Sequence, residues 1–217
     1  MTARPLALVD RLAKLYTPVV ADVLDKLGFR NQCLAPRVRP LWPEATCAGF
    51  ALTVQTVPAR DIVPEHPYAC ELAAVDALQN GDVLVVSESA CSFWGELLST
   101  AAKYRGTRGV VLDGPTRDSR AIRAMGFPVF HNGFHPADSM GRLDVVAHNV
   151  PITCAGVLVH PGDLVLADHD GVVIVPRGAA EETLRLAEEK VSGENLVRDA
   201  LAAGMTTTEA FKKFGIL

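Results

Sequence analysis

GVVLDGPTRDSRAIRAMGFPVF (residues 109–130) starts as an uninterrupted apolar strand and turns through Gly114 and Pro115. It then places two opposite charges, Arg117 and Asp118, ahead of a short helical segment that leads into a second apolar strand, PVFH (128–131). A continuous apolar run bounded by turn residues is the pattern of a strand buried on both faces. The segment before it has the same design. Asn80-Gly81-Asp82 turns into VLVVS, and the stretch from Gly95 to a stop at Gly106 has helical spacing before GVVLDG begins. Strand, helix, strand, helix and strand joined by short connections predict a βαβαβ unit with parallel strands, and so an α/β fold.

Working outward, residues 6–15 read as a helix, and Thr17-Pro18 reads as an N-cap followed by proline in the first turn of a helix that Gly28 closes. CAGFALTVQTV (47–57) is rich in β-branched residues and reads as a strand, ARDIVPEHPY as a loop, and ACELAAVDAL as a helix. Between 144 and 176 the texture changes to short strands with turns at Pro161-Gly162-Asp163 and Asp170-Gly171, which predicts an antiparallel addition. Residues 181–203 form one long helical stretch, and Thr206 to Thr208 provide a cap for a last helix that ends near Gly215. There is no internal repeat or linker-like segment, so residues 1–217 are expected to form one domain.

Composition narrows the function. With 217 residues, 49% of them hydrophobic, the chain supports one sizeable core. The net charge of -4 comes from interspersed acids and bases, without the basic run that would neutralise a phosphate backbone, so nucleic acid is not an expected partner. Five cysteines, with no C-x-x-C pair, read as free thiols of a reducing cytoplasm. Charges interrupt the apolar stretch at the N-terminus before a leader core forms, and no run reaches membrane-spanning length. The six lysines fall on helical segments with polar neighbours, which disfavours Schiff-base chemistry. Dinucleotide, P-loop and serine-hydrolase motifs are missing.

In open α/β sheets, ligand groups gather beyond the carboxyl ends of the parallel strands. Two such ends, after Ser87 and after Asp113, are neighbours in the predicted unit. WGELL follows the first: Gly95 leaves backbone room, and the amides of Glu96, Leu97 and Leu98 belong to an unsatisfied helical turn. Arg117 and Asp118 follow the second. Glu96, Arg117 and Asp118 facing one crevice suit a divalent cation and an anionic substrate. Locally, Arg117-Asp118 is equally well read as a surface ion pair in which Asp118 caps the helix SRAIRAM. His131 and His135 are separated by Gly133, so they read as loop or substrate contacts. His160, Asp163, Asp168, His169 and Asp170 read as turn residues.

The spacing Gly95-Glu96, twenty residues, Arg117-Asp118, together with LDGPTRD, GFPVF, VHPGDLVLADHDGVVIVP and FKKFGIL, resembles the 4-hydroxy-4-methyl-2-oxoglutarate aldolase family, relatives of the RraA regulators of ribonuclease activity. The resemblance covers nearly the whole chain. It implies a single-domain αββα sandwich of swivelling β/β/α-like architecture, assembled as a homotrimer or homohexamer with sites between subunits. It further implies a Mg2+- or Mn2+-dependent lyase acting on a small 2-oxo acid. By position, Asp118 corresponds to the direct metal ligand, Arg117 to the substrate-binding arginine, and Glu96 to the acid that holds metal-bound water. Leu97 and Leu98 supply amides for the substrate carboxylate. A further acid from a neighbouring subunit corresponds to Glu194, with Glu188 and Glu189 as alternatives. Two departures touch the substrate pocket: Ala121 replaces an acid three residues after Asp118, and SESACSF stands in place of a glycine-rich loop before WGELL. The reading from a different class is a non-enzymatic, protein-binding regulator of the RraA branch, which the presence of both Asp118 and Glu96 disfavours.

Overall fold

The computed structural model describes residues 5–63 and 65–216. Residues 1–4, where the leader question arises, Pro64 and Leu217 lie outside the described residues. In chain order the strands are β1 (Arg39–Pro40), β2 (Cys47–Pro58), β3 (Asp82–Val86), β4 (Gly109–Leu112), β5 (Pro115–Thr116), β6 (Val129–His131), β7 (Gly133–Phe134), β8 (Leu143–His148), β9 (Ile152–Cys154), β10 (Val157–Val159), β11 (Leu164–Ala167) and β12 (Val172–Val175). The helices are α1 (Leu6–Leu12), α2 (Thr17–Lys26), α3 (Ala69–Asp76), α4 (Glu96–Tyr104), α5 (Ser119–Met125), α6 (Ala180–Ala202) and α7 (Thr207–Phe214).

Among the described residues, eight strands share one sheet in the order β1-β6-β4-β3-β2-β11-β12, with β8 also on β2. The predicted parallel unit is its centre: β2, β3, β4 and β6 pair in parallel. The predicted antiparallel addition is there too. β11 pairs with the first third of β2, β8 with its last residues, and β12 with β11. Residues 33–40 run from one sheet edge to the other, because Cys33 bridges Val173 on β12 while Arg39 and Pro40 pair with β6. The sheet is therefore nearly closed.

Strand alternation sorts the side chains into separate cores. Val83 and Val85 point inward with Val165, Ala167, Val172 and Ile174, where the β9–β10 hairpin fills the curl. Leu84 and Val86 point outward beneath α3, α4 and α5, with Trp94 and Ile122. Leu164, Leu166, Val173 and Val175 carry α1, α2 and α6 on another outer face. Strands apolar on both sides thus end up covered on both sides, and the α/β sandwich expected from the sequence results.

The start of α2 differs from the expected cap. Thr17 is its first helical residue, and Tyr16, which makes no side-chain cap, precedes it. The capping acceptor comes from far along the chain: Asp168 takes the Thr17 amide (2.8 Å) and hydroxyl (2.7 Å) and the Asp170 amide (2.9 Å). Asp163 likewise accepts from the amides of His160 and Arg177 (2.8 and 2.9 Å). These turn acids are structural. Thr206 caps α7 in a reciprocal capping box with Glu209, as its sequence predicts. Of the lysines, Lys14 lies just beyond α1 rather than on a helix.

Candidate active site

Because β3 and β4 are parallel neighbours, the loops that leave them emerge at the same end of the sheet. Those loops are fastened to each other. Trp94 bridges Thr116, the Trp94 carbonyl accepts from the Arg117 amide (3.1 Å) and the Thr116 hydroxyl (3.0 Å), and β5 pairs with β7. Trp94 is fully buried and donates its indole N–H to the Ser99 hydroxyl (2.7 Å), which anchors the first turn of α4. This lacing presses Gly95 against the Arg117-Asp118 pair. A Cβ at Gly95 would lie 2.6 Å from Asp118 Oδ2 and 3.3 Å from Arg117 Nε, so any side chain here would displace the ends of that pair.

Asp118 has a left-handed backbone (φ 55°), a conformation that aspartate tolerates better than most residues. It precedes α5 but makes no side-chain cap for it, which corrects the expectation that it caps SRAIRAM. Its Oδ2 instead accepts from the Glu96 amide (3.0 Å), so the carboxylate sits on the N-terminus of α4 across the crevice. Among the described residues, Oδ1 accepts no hydrogen bond, and the Leu97 and Leu98 amides donate none. Glu96 Oε1 accepts from the Thr100 hydroxyl (2.9 Å). Two cavities meet here. One of about 700 Å³, wide open, is lined by Glu96, Leu97, Asp118 and Ala121. A tighter one of about 300 Å³ is lined by Tyr68, Glu71, Leu97, Leu98, Arg117, Asp118 and Asp138. Gly95, Glu96, Leu97, Leu98, Arg117 and Asp118 are thus brought together.

Arg117 is more than half of a simple ion pair. Its Nε lies 3.8 Å from Asp118 Oδ2, and its Nη2 lies closer, 3.4 Å, to Asp138 Oδ1. Asp138, Tyr68 and Glu71 carry no site signal in the sequence: Tyr68 ends the predicted loop ARDIVPEHPY and Glu71 lies in the predicted helix ACELAAVDAL. The Tyr68 hydroxyl donates to Asp138 Oδ2, and the Ser139 amide donates to Oδ1 (2.8 Å). Burial works against the Asp138 charge, but Tyr68, Ser139 and Arg117 outweigh it and hold the pKa below the usual range. The same hydrogen bond to Asp138 pushes the Tyr68 phenol up to about 12. Glu71 is buried and, among the described residues, has no cationic partner in hydrogen-bond contact; it accepts from the Ser139 hydroxyl (2.8 Å), and burial pushes its pKa up to about 7.

Within its own chain, Glu194 lies on α6 away from these cavities, held by Lys190 (3.0 Å) and by the Tyr16 hydroxyl. Glu188 and Glu189 bind Arg11 and Arg185. Lys190 is half-buried between Asp22 and Glu194; burial opposes its charge, yet the two acids raise its pKa, the reverse of a nucleophilic lysine. His131 is the buried last residue of β6, its ring nitrogen engaged with Gly133, and His135 is a loop residue that accepts from the Ala137 amide. No group of three or more His, Cys, Asp or Glu side chains forms a metal cage among the described residues. A single open carboxylate oxygen beside a second acid does fit Mg2+ or Mn2+, hard cations that keep several waters and take one or two carboxylates.

The family model described as Aldolase/RraA (RraA-like) matches residues 17–174, and the chain belongs to this family. A Halalkalibacterium halodurans protein, provisionally named a 4-hydroxy-4-methyl-2-oxoglutarate aldolase, is 30% identical over 97% of this chain and 96% of its own length. An uncharacterized protein of Pseudomonas syringae pv. tomato has a similar structure, with a TM-score of 0.88 and 28% identity over 98% of this chain and 96% of that one. Streptomyces coelicolor RraAS2, described as an unusual member of the RNase ES inhibitor RraA family, superposes with a TM-score of 0.79 and is 33% identical over 88% of this chain and 96% of its own. No helix among the described residues is long and apolar enough to cross a membrane.

Proposed function

We propose that the protein is a divalent-cation-dependent pyruvate aldolase. It cleaves a 4-hydroxy-2-oxo acid, such as 4-hydroxy-4-methyl-2-oxoglutarate or 4-carboxy-4-hydroxy-2-oxoadipate, to pyruvate, and decarboxylates oxaloacetate through the same pyruvate enolate. The observation that carries this reading is the convergence of the open Asp118 oxygen, Glu96, Arg117 and the undonated Leu97 and Leu98 amides on one crevice. Mg2+ or Mn2+ would be held directly by Asp118, and through water by Glu96 and by Glu194 of a neighbouring subunit in a homotrimer or homohexamer. When bound, the cation supplies Lewis-acid stabilisation of the negative charge that develops on the 2-oxo oxygen.

The chain's own residues do the rest. The Leu97 and Leu98 amides, at the positive end of the α4 dipole, receive the substrate carboxylate. Arg117 offers a rigid fork of donors to the oxygen on which charge grows, a contact that strengthens toward the transition state. Glu96 orients a water that takes the C4 hydroxyl proton as the C3–C4 bond breaks. The halodurans relative's name supports an aldolase, and the likeness to RraAS2 motivates the rival, a non-catalytic binding protein. Such a regulator has no need of an open Asp118 oxygen. Incubating the protein with oxaloacetate and Mg2+ or Mn2+, with and without chelator, separates the two. Metal-dependent pyruvate release is expected; full activity in chelator sinks the proposal, and no release with either oxaloacetate or a 4-hydroxy-2-oxo acid favours the regulator.

A further inference from the structure

We infer that Asp138, fixed by Tyr68, is a positioning residue that aims Arg117 within the cavity Arg117 shares with Leu97 and Leu98. This inference rests on the reading of that cavity as the substrate pocket. An arginine side chain has many rotamers, and only one fixed direction serves a charge that appears in the transition state. Arg117 is held from two sides: Nε faces Asp118 and Nη2 faces Asp138. Asp118 has an open oxygen turned to the crevice, whereas both oxygens of Asp138 are engaged. Asp138 is therefore built to hold rather than to bind.

Its own fixation is strict. Tyr68 grips Oδ2 and the Ser139 amide grips Oδ1, while Ser139 is in turn tied to buried Glu71. Tyr68 adopts a left-handed backbone (φ 64°) at the start of α3, unusual for a bulky residue, and this is the residue whose phenol reaches Asp138. Strain of this kind persists where surrounding structure imposes it, and it gathers at functional sites. The segment carrying Asp138 is also joined to the loop that carries Gly95. Ser92 bridges Asp138, the Ser92 amide donates to the Ala137 carbonyl (3.1 Å), and its hydroxyl donates to the His135 carbonyl. Holder and held thus share one frame with the α4 amides.

The test is a double-mutant cycle on the full chain with Mn2+ and oxaloacetate. Asp138→Asn is expected to lower kcat about 10- to 100-fold with KM nearly unchanged, the size of effect a misplaced charge produces. Tyr68→Phe, which keeps the ring and removes only the hydroxyl, is expected to lower kcat several-fold in the same direction. In an Arg117→Ala background both losses should vanish, because there is nothing left to aim. Losses that persist undiminished without Arg117, or wild-type kcat in both single variants, overturn the assignment while leaving the aldolase reading intact. A wild-type protein that turns over neither oxaloacetate nor a 4-hydroxy-2-oxo acid overturns that reading, and this inference with it.

Discussion

Asp113 and Asp118 stand five residues apart in the same strand-to-helix connection, yet their surroundings differ in every respect. The Asp113 side chain is 5% exposed and saturated: Arg37 binds it in a fork (3.0 and 2.9 Å), and the Ala155 amide adds a third donor (2.8 Å). The Asp118 side chain is 46% exposed and accepts one hydrogen bond, from Glu96. A buried carboxylate must be neutralised where it sits, and then it staples the fold. A carboxylate left one oxygen short of satisfaction at the rim of a crevice is poised for a ligand. The same residue type, close in sequence, is thus divided by geometry into a brace and a binding group.

The largest effects are expected at the two aspartates themselves. Asp118→Ala should lower aldol or decarboxylase turnover about 1,000-fold, some 4 kcal/mol of transition-state stabilisation. Its thermal unfolding should stay close to wild type, since an exposed acceptor is lost. Asp113→Ala should do the opposite: stability falls by about 3 kcal/mol because Arg37 and the Ala155 amide lose their partner, as chemical denaturation would read. Turnover per folded molecule should then be nearly kept. Equal effects on activity and stability in both variants would erase the distinction.

Glu71 sharpens it, being what a buried acid becomes without an Arg37. Its pKa rises from the usual 4.5 to about 7. Between those values the folded state holds the proton more tightly than the unfolded chain, so its stabilising contribution is full below about 4.5 and is lost as pH climbs through 7. Glu71→Gln should flatten that decline by on the order of 3 kcal/mol, measured as denaturation midpoints from pH 4.5 to 8. An unchanged slope would remove Glu71 from the account. The smallest effect belongs to Gly95→Ala. The added methyl meets the end of the Asp118 side chain rather than backbone, so the carboxylate gives way and kcat/KM should fall about tenfold, ~1.4 kcal/mol, with little change in stability.

Much of this was legible in the residues themselves. Period and punctuation in 80–131 foretold β3, α4, β4, α5 and β6, because a parallel strand covered on both faces must be continuously apolar. The spacing of Glu96 to Arg117-Asp118 foretold that these groups meet at one crevice, because adjacent parallel strands deliver their loops to the same end. What stayed hidden depends on contacts between distant segments. Thr17 looked like a cap, but the acceptor is Asp168, 151 positions away. Asp118 looked like a cap for its own helix, but its backbone turns left-handed and sends the carboxylate to α4. Asp138 and Tyr68 lie in turn-like stretches 70 positions apart, and no local pattern announces that a tyrosine in a strained conformation will meet an aspartate there.

The division between Asp113 and Asp118 is tested most directly by titrating Mn2+ into the wild-type protein and into Asp118→Asn and Asp113→Asn, following bound metal by electron paramagnetic resonance. Wild type should bind Mn2+, Asp118→Asn should lose that binding, and folded Asp113→Asn should retain it. Undiminished binding by Asp118→Asn would contradict that division.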